Sequence, residues 1–347
     1  MAENPSGSSV SGLGRVKTWV ATPELRVRLG IRAVLVFAVL LFVYYVSTAP
    51  RFFSVTNVTN VGARTAPGII VAVAQTMVII SAGIDLSVGA ILAFSGSLTS
   101  VAYCYWGVPV WPAMLLGLAA GAFLGFINGL IITKGRIPDF IATLGMMGTA
   151  RGVALILTRG LPVPSHLTAV TLKAYLPDEI IWMGSGDILG FPAGALIGLL
   201  VVVAGWVILK HTGFGRAVFA VGGNREAARV SGINVDRTKV MVYTLAGLLS
   251  GLAGLVLVGR MNSANALMAD PANLESISAV VIGGTNLFGG EGGVIGSLVG
   301  ALIMGILGNV LNLHNMQDFV QRVVMGLLII GVVLFDQLRR RHRAEAS

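Results

Sequence analysis

The chain has 347 residues, a formal net charge of +9, 55% hydrophobic residues and only 11% charged ones. Its mean hydropathy is +0.85, whereas soluble domains are about 45–50% apolar and about 25% charged, so composition excludes an ordinary soluble domain. It indicates an all-α, polytopic integral membrane protein, and in that setting the excess of Lys and Arg reads as membrane topology and not as nucleic-acid binding.

A bilayer-spanning helix needs about 20 mostly apolar residues, because its backbone polar groups must be satisfied within the segment. On that criterion the sequence predicts about ten spans, at 31–49, 60–81, 87–106, 110–133, 140–158, 191–209, 240–259, 274–284, 294–313 and 319–335. The eighth is short and bounded by glycines, the mark of a broken or re-entrant segment. Residues 1–30 precede the first span as a flexible tail containing Gly7, Ser8, Ser9, Ser11 and Gly12, without the pattern of a cleaved secretory signal. Residues 31–336 form the transmembrane domain, and 337–347 a basic tail. Most Lys and Arg fall on one side if both termini are cytoplasmic.

The second span carries Gln75 and Thr76. It breaks at Gly83-Ile84-Asp85-Leu86-Ser87-Val88-Gly89, where Gly83 permits a sharp turn and Asp85 is placed to cap the third span. In the fourth, Gly117, Gly121, Gly125 and Gly129 recur every fourth residue, a smooth stripe suited to close helix packing; Gly296 and Gly300, then Gly305 and Gly308, do the same in the ninth. Asn128, Thr143, Thr149, Arg151 and Asn309 add polar groups within spans. Each costs free energy in hydrocarbon, so each should face protein or water. With Gln75, Thr76, Asp85 and Ser87 they form the candidate translocation path, whose hydroxyls and amides suit a neutral polyhydroxylated solute better than an ion.

The longest outside loop, 159–190, is either a lid or a plain connection, and its 167–176 stretch has the composition of a surface helix. The longest cytoplasmic loop, 210–239, is basic and helix-capable. Within it Asn224 is a helix N-cap and Gly232 a left-handed terminator, with Glu226 near the positive helix end and Arg229 nearer the negative one. Such a stiff, small-surfaced rod, with Ala227 and Ala228 between its caps, is suited to docking. A second glycine-rich break at 280–293 echoes the first, the layout of a transporter with internal repeats.

No enzyme signature is present. The chain lacks a Gly-x-x-x-x-Gly-Lys-Ser/Thr phosphate loop, and His166, His211, His314 and His342 have no metal-ligand spacing. Cys104 is the only cysteine, which excludes an intrachain disulfide. Asp85, Glu275 and Glu291 all fall at span ends, leaving little for a proton relay.

From 52 to 336 the chain resembles the permeases of ribose-type bacterial ABC importers for monosaccharides. The resemblance rests on Ser81-Ala82-Gly83-Ile84-Asp85-Leu86-Ser87-Val88-Gly89, Asn128-Gly129 with Lys134-Gly135-Arg136-Ile137-Pro138, and Phe140-Ile141-Ala142-Thr143-Leu144-Gly145 with Arg151-Gly152. Gly222-Gly223-Asn224, Ala227-Ala228-Arg229, Ser231-Gly232-Ile233 and Val281-Ile282-Gly283-Gly284-Thr285 follow in order. It implies an inner-membrane permease without covalent chemistry or a cofactor of its own, working as a homo- or heterodimer in membrane lipid. A cytoplasmic ATPase would bind the ATP, and an exported sugar-binding protein would deliver the cargo. It assigns Gly222, Gly223, Asn224, Glu226, Ala227, Ala228, Arg229, Ser231 and Gly232 to the helix that couples to the ATPase. Many relatives have glycine and methionine where this chain has Ala74 and Gln75, and Arg225 stands where an acidic residue or proline is common. A polyol, nucleoside or branched-chain amino acid is the alternative cargo, and an ATP-independent secondary carrier the alternative mechanism.

Overall fold

A computed structural model describes residues 43–334, except 45, 50, 168–170, 318, 329, 332 and 333. The hydroxyl of Ser54 accepts from the Asn57 amide and opens α1 (Val55–Ile80). After a seven-residue break, α2 (Val88–Trp106) ends in a π turn at Gly107, which has φ +73. Next come α3 (Val110–Lys134), α4 (Asp139–Thr158) and the short α5 (Asp178–Ser185). A small antiparallel ribbon, β1 (Asp187–Ile188) with β2 (Phe191–Pro192), leads into α6 (Ala193–His211). The chain continues through α7 (Gly213–Gly223), α8 (Arg225–Val230), α9 (Val235–Met261), α10 (Ala272–Ile282), α11 (Val294–Leu313) and α12 (Phe319–Leu328).

Seven helices, α1 to α4, α6, α9 and α11, are long and apolar enough to cross a membrane. They coincide with the second to seventh and the ninth expected spans. The eighth and tenth are shorter apolar helices among the described residues, so only seven of the expected ten are seen at full length. The first span apart from its last residues, and the tails 1–30 and 337–347, lie outside the described residues.

Burial divides the helices by role. α1 and α2 are sheathed on nearly all sides, while α3, α4 and α6 bury about a third or less of their central windows. The uncovered faces carry Leu115, Phe123, Leu199, Leu200 and Val203, apolar groups suited to lipid. Between helices the predicted glycine stripe is in use. A side chain on Gly125 would strike the Tyr243 carbonyl, and one on Gly129 the Val240 backbone, so α3 and α9 meet backbone to backbone. Gly296 and Gly300 likewise let α11 lie on Ala279 of α10 and on Gly283 just beyond its end. Without a hydrophobic drive between helices in lipid, this close van der Waals approach is what holds them together.

The 159–190 loop differs from the expectation. Residues 171–177 are not helical; Leu172 and Leu176 pack beside Val101 and Leu255, and the helix begins only after Pro177, at α5. Apolar composition there serves packing rather than an amphipathic helix. Val163 exchanges 2.8 Å backbone hydrogen bonds with Ala264, and Lys173 donates to the Cys104 carbonyl, pinning the loop to the bundle.

Candidate functional site

α7 and α8 form an elbow at one end of the bundle. The Thr212 hydroxyl accepts from the Gly215 amide at the start of α7. Asn224 then takes an extended conformation, φ −155, and its Oδ1 accepts from the Ala227 amide at 2.9 Å, which opens α8. Glu226 sits in the first turn, Arg229 pairs with it at 3.3 Å, and Gly232 reverses the chain at φ +82. The predicted cap and terminator are both present.

The elbow has an inner and an outer side. Ala228 is buried with Val221 and Val235. Gly223, Asn224, Glu226, Ala227, Arg229, Ser231 and Gly232 are exposed, and so is Val230, at 88%, an apolar group that the motif reading passed over. A cleft of about 750 Å³ lies between this elbow and the α3–α4 turn, lined by Arg136, Arg225, Arg229, Glu226 and Asp236 among others.

Gly222 joins the elbow to the membrane helices. A Cβ there would land on the carbonyl oxygen of Ile80, the last residue of α1. That same carbonyl accepts from the Gly290 amide at 2.9 Å. Thus the elbow, the end of α1 and the second glycine-rich break meet at one point.

Immediately beyond Ile80 the chain enters a buried polar network. Ala82, not Gly83, takes the left-handed conformation, at φ +55. Gly83 is required for another reason: a side chain would lie 2.7 Å from both the Asp139 carboxylate and the Tyr243 hydroxyl. Asp85 Oδ1 accepts from the Ser87 amide at 2.7 Å and its hydroxyl at 2.5 Å. It therefore closes a turn instead of capping α2; Asn273 accepts from the Gly89 amide in that role, at 2.7 Å. Asn128 donates to the Ser87 hydroxyl, and Thr143 accepts from the Leu86 amide. Asp139 Oδ2 receives both Lys239 Nζ at 2.6 Å and the Tyr243 hydroxyl at 2.7 Å, while Lys239 also reaches the Ala82 carbonyl.

Four of the candidate path residues, Asp85, Ser87, Asn128 and Thr143, are thus gathered beneath the elbow. The others are dispersed. Thr76 donates to Ser297 deep between α1 and α11, Asn309 exchanges amide hydrogen bonds with Asn57, Arg151 pairs with Asp270, and exposed Thr149 bonds its own helix at Gly145. Gln75 is fully buried, and neither amide atom has a partner among the described residues. Asp139, Lys239 and Tyr243 were missed; opposite charges at the starts of two spans were the available signal.

Burial pushes the Asp85 carboxyl up to about 6, against the lowering effect of its Ser87 hydrogen bonds and with a small upward push from Asp139. Because the value is raised, the carboxyl supports the fold when protonated, and that support is lost as pH rises through about 6. Asp85→Asn removes a cost of roughly 3 kcal/mol at high pH. Its thermal midpoint in detergent should therefore exceed that of the wild type at pH 8, with the gap closing near pH 4. A gap independent of pH would contradict this assignment.

No group of three or more metal-ligating side chains occurs among the described residues. Residues 57–333 match the family described as the permease component of the branched-chain amino acid transport system. The chain is 42% identical to the ribose import permease protein of Escherichia coli (strain K12), over 87% of this chain and 92% of that one. It is 44% identical to its namesake in Bacillus subtilis (strain 168), over 83% and 87%. The fructose import permease protein of Rhizobium meliloti is 38% identical, over 84% and 80%. No solved structure matches. By the family match over 57–333 and identities above 40% across most of its length, the chain belongs to the ABC-transporter permease family that includes the ribose import permeases.

Proposed function

We propose that the chain is the membrane subunit of an importer that carries a monosaccharide inward, with ATP bound and hydrolysed by a separate cytoplasmic subunit. Two permease copies, identical or related, span the bilayer with their termini inside and about ten spans each, and an exported binding protein delivers the sugar. The chain needs no cofactor and performs no covalent step. The observation that carries this reading is the exposed elbow, packed through Gly222 directly against the Ile80 carbonyl at the end of α1, just before the buried Asp85 network. A motor that holds the elbow differently in its two nucleotide states shifts the end of α1 with it; without such a difference nothing moves.

The ribose, fructose and xylose permeases among the relatives favour sugar as cargo. The description of the matched family keeps a branched-chain amino acid as the second reading. Competition separates them. Uptake of labelled ribose by cells expressing the complete transporter should be displaced by unlabelled pentoses or hexoses and left unchanged by leucine. Displacement by leucine, or no sugar uptake at all, would reverse the choice.

A further inference from the structure

At the end of α1 remote from the elbow lies a second cleft, of about 300 Å³, between α1, α9, α10, α11 and α12. About 24 Å of helix separates Arg64, in its wall, from Ile80, and about 37 Å separates Arg260 from Val235, which packs against the elbow. Arg64, Arg260 and Glu275 line one part of the cleft, and Arg322 stands one turn before Met325 of its wall. The three arginines are exposed and Glu275 is half-buried. The charge of Arg64 acts on both Arg260 and Glu275, and that of Arg322 acts on Glu275 as well, so three guanidiniums face one carboxylate. None of the four makes an ion pair within 4 Å among the described residues. One or two turns along the same helices the lining becomes apolar, with Gly68 and Val71 on α1, Leu257 on α9, Ala279 on α10 and Met325 on α12. On α1 and α9 that direction leads towards the elbow, into the span. Thr65 and Ser276, the other polar side chains of the lining, donate to carbonyls of their own helices.

We propose that this cleft holds one anionic phospholipid, with its phosphate among Arg64, Arg260 and Arg322 and an acyl chain along the apolar part. Planar guanidiniums donate to phosphate oxygens in pairs, and such charge-assisted bonds are the strong ones. Glu275 leaves the cluster net positive. The charges select an anion, and the cleft beneath them selects an amphiphile. A free phosphate, or the carboxylate of a docking protein, would use the guanidiniums alone and leave the apolar part unfilled. Gly68 is exposed and a Cβ there would meet nothing within 4 Å, so the apolar part opens to the outside of the chain. Leu274 beside Glu275, Val323 beside Arg322, and Leu327 present exposed apolar side chains suited to lipid, which places the opening on the bilayer. Met268, Met304 and Met325 give the cleft an adaptable wall for a flexible chain.

The test follows the thermal midpoint of the full-length permease in detergent during titration with phosphatidylglycerol, with phosphatidylcholine of the same acyl chains, or with inorganic phosphate. Phosphatidylglycerol is expected to raise the midpoint at concentrations about tenfold below those needed of phosphatidylcholine, and inorganic phosphate to leave it unchanged. Replacing Arg64 and Arg260 together by glutamine should erase that preference. Gly68→Leu spares the charges and decides the matter if the double variant does not fold. Leucine there narrows the apolar part without displacing backbone, and inside a helix it is favoured over glycine, so the lipid-free midpoint should equal or exceed that of the wild type. Its apparent affinity for phosphatidylglycerol should nevertheless fall about tenfold. Protection by inorganic phosphate equal to that by phosphatidylglycerol would show a free-anion site and overturn the lipid assignment. An equal response of the wild type to both lipids, or an undiminished preference in the variants, overturns it as well. Charge variants that lose affinity for the loaded binding protein while keeping the phosphatidylglycerol preference show a docking surface, and overturn it too.

Discussion

Replacing Val230 by aspartate should detach the ATPase while leaving the permease folded. Val230 is 88% exposed at the end of α8 and touches no core cluster, so the substitution costs the isolated chain little. In the complex, the same position would exchange a buried apolar side chain for a desolvated carboxylate without a partner. The loss is about 2–4 kcal/mol, or roughly 30- to 700-fold in dissociation constant. Titrating purified ATPase against the detergent-solubilised permease measures it, with gel-filtration behaviour as the check on folding. Ala228 serves as the contrast. It is buried against Val221 and Val235, so enlarging it to leucine overpacks the elbow itself and should lower thermal stability before it alters any partner. Equal ATPase affinity for Val230→Asp and wild type would remove α8 from the interface.

The second large effect lies in the pair beneath the elbow. Asp139→Ala leaves the Lys239 ammonium, only 5% exposed, without its counter-charge. Stranding one member of a buried pair costs about 3–5 kcal/mol, enough to unfold a marginally stable chain. Removing both members is different. Asp139→Leu combined with Lys239→Met should regain most of the loss, because desolvation of both charges disappears with their attraction. Tyr243 retains the Ile84 carbonyl at 3.4 Å as an acceptor in that background. Thermal unfolding of the single and double variants completes the cycle, and a double variant as unstable as Asp139→Ala would show that Lys239 is not the stranded group. Function should not follow stability here, since the pair ties α4 and α9 to the loop entering α2. A double variant that is stable yet poorly coupled would place the pair in the transmission route.

Seven of the ten expected spans were legible at full length, because hydropathy over some twenty residues is a property of local sequence. The elbow was legible for a related reason: Asn224 bonds the Ala227 amide three positions on, and Gly232 turns by its own backbone freedom. What sequence could not supply was distance in space. Asp139 and Lys239 are 100 positions apart, and Asn273, which caps α2 at Gly89, is 184 away. Opposite charges at the starts of two spans hint at the first pair, but nothing in the sequence pairs Gly89 with Asn273. Gly83 illustrates a subtler limit. Its presence was noticed, but its turn was assigned to the wrong residue, since Ala82 supplies the left-handed angle while Gly83 makes room for two side chains from other helices. The polar residues expected along one path were found because intramembrane polarity stands out, yet only those beneath the elbow share a network. Their common chemistry said nothing about which faces they occupy.

The central claim is that this chain gates a route but does not drive it, the force entering through the elbow. The most direct measurement compares purified permease alone with the permease–ATPase complex in proteoliposomes, each with loaded binding protein outside and ATP where the ATPase acts. The account predicts concentrative sugar uptake only in the complex, abolished by Val230→Asp. Accumulation against a gradient by the permease alone would contradict it.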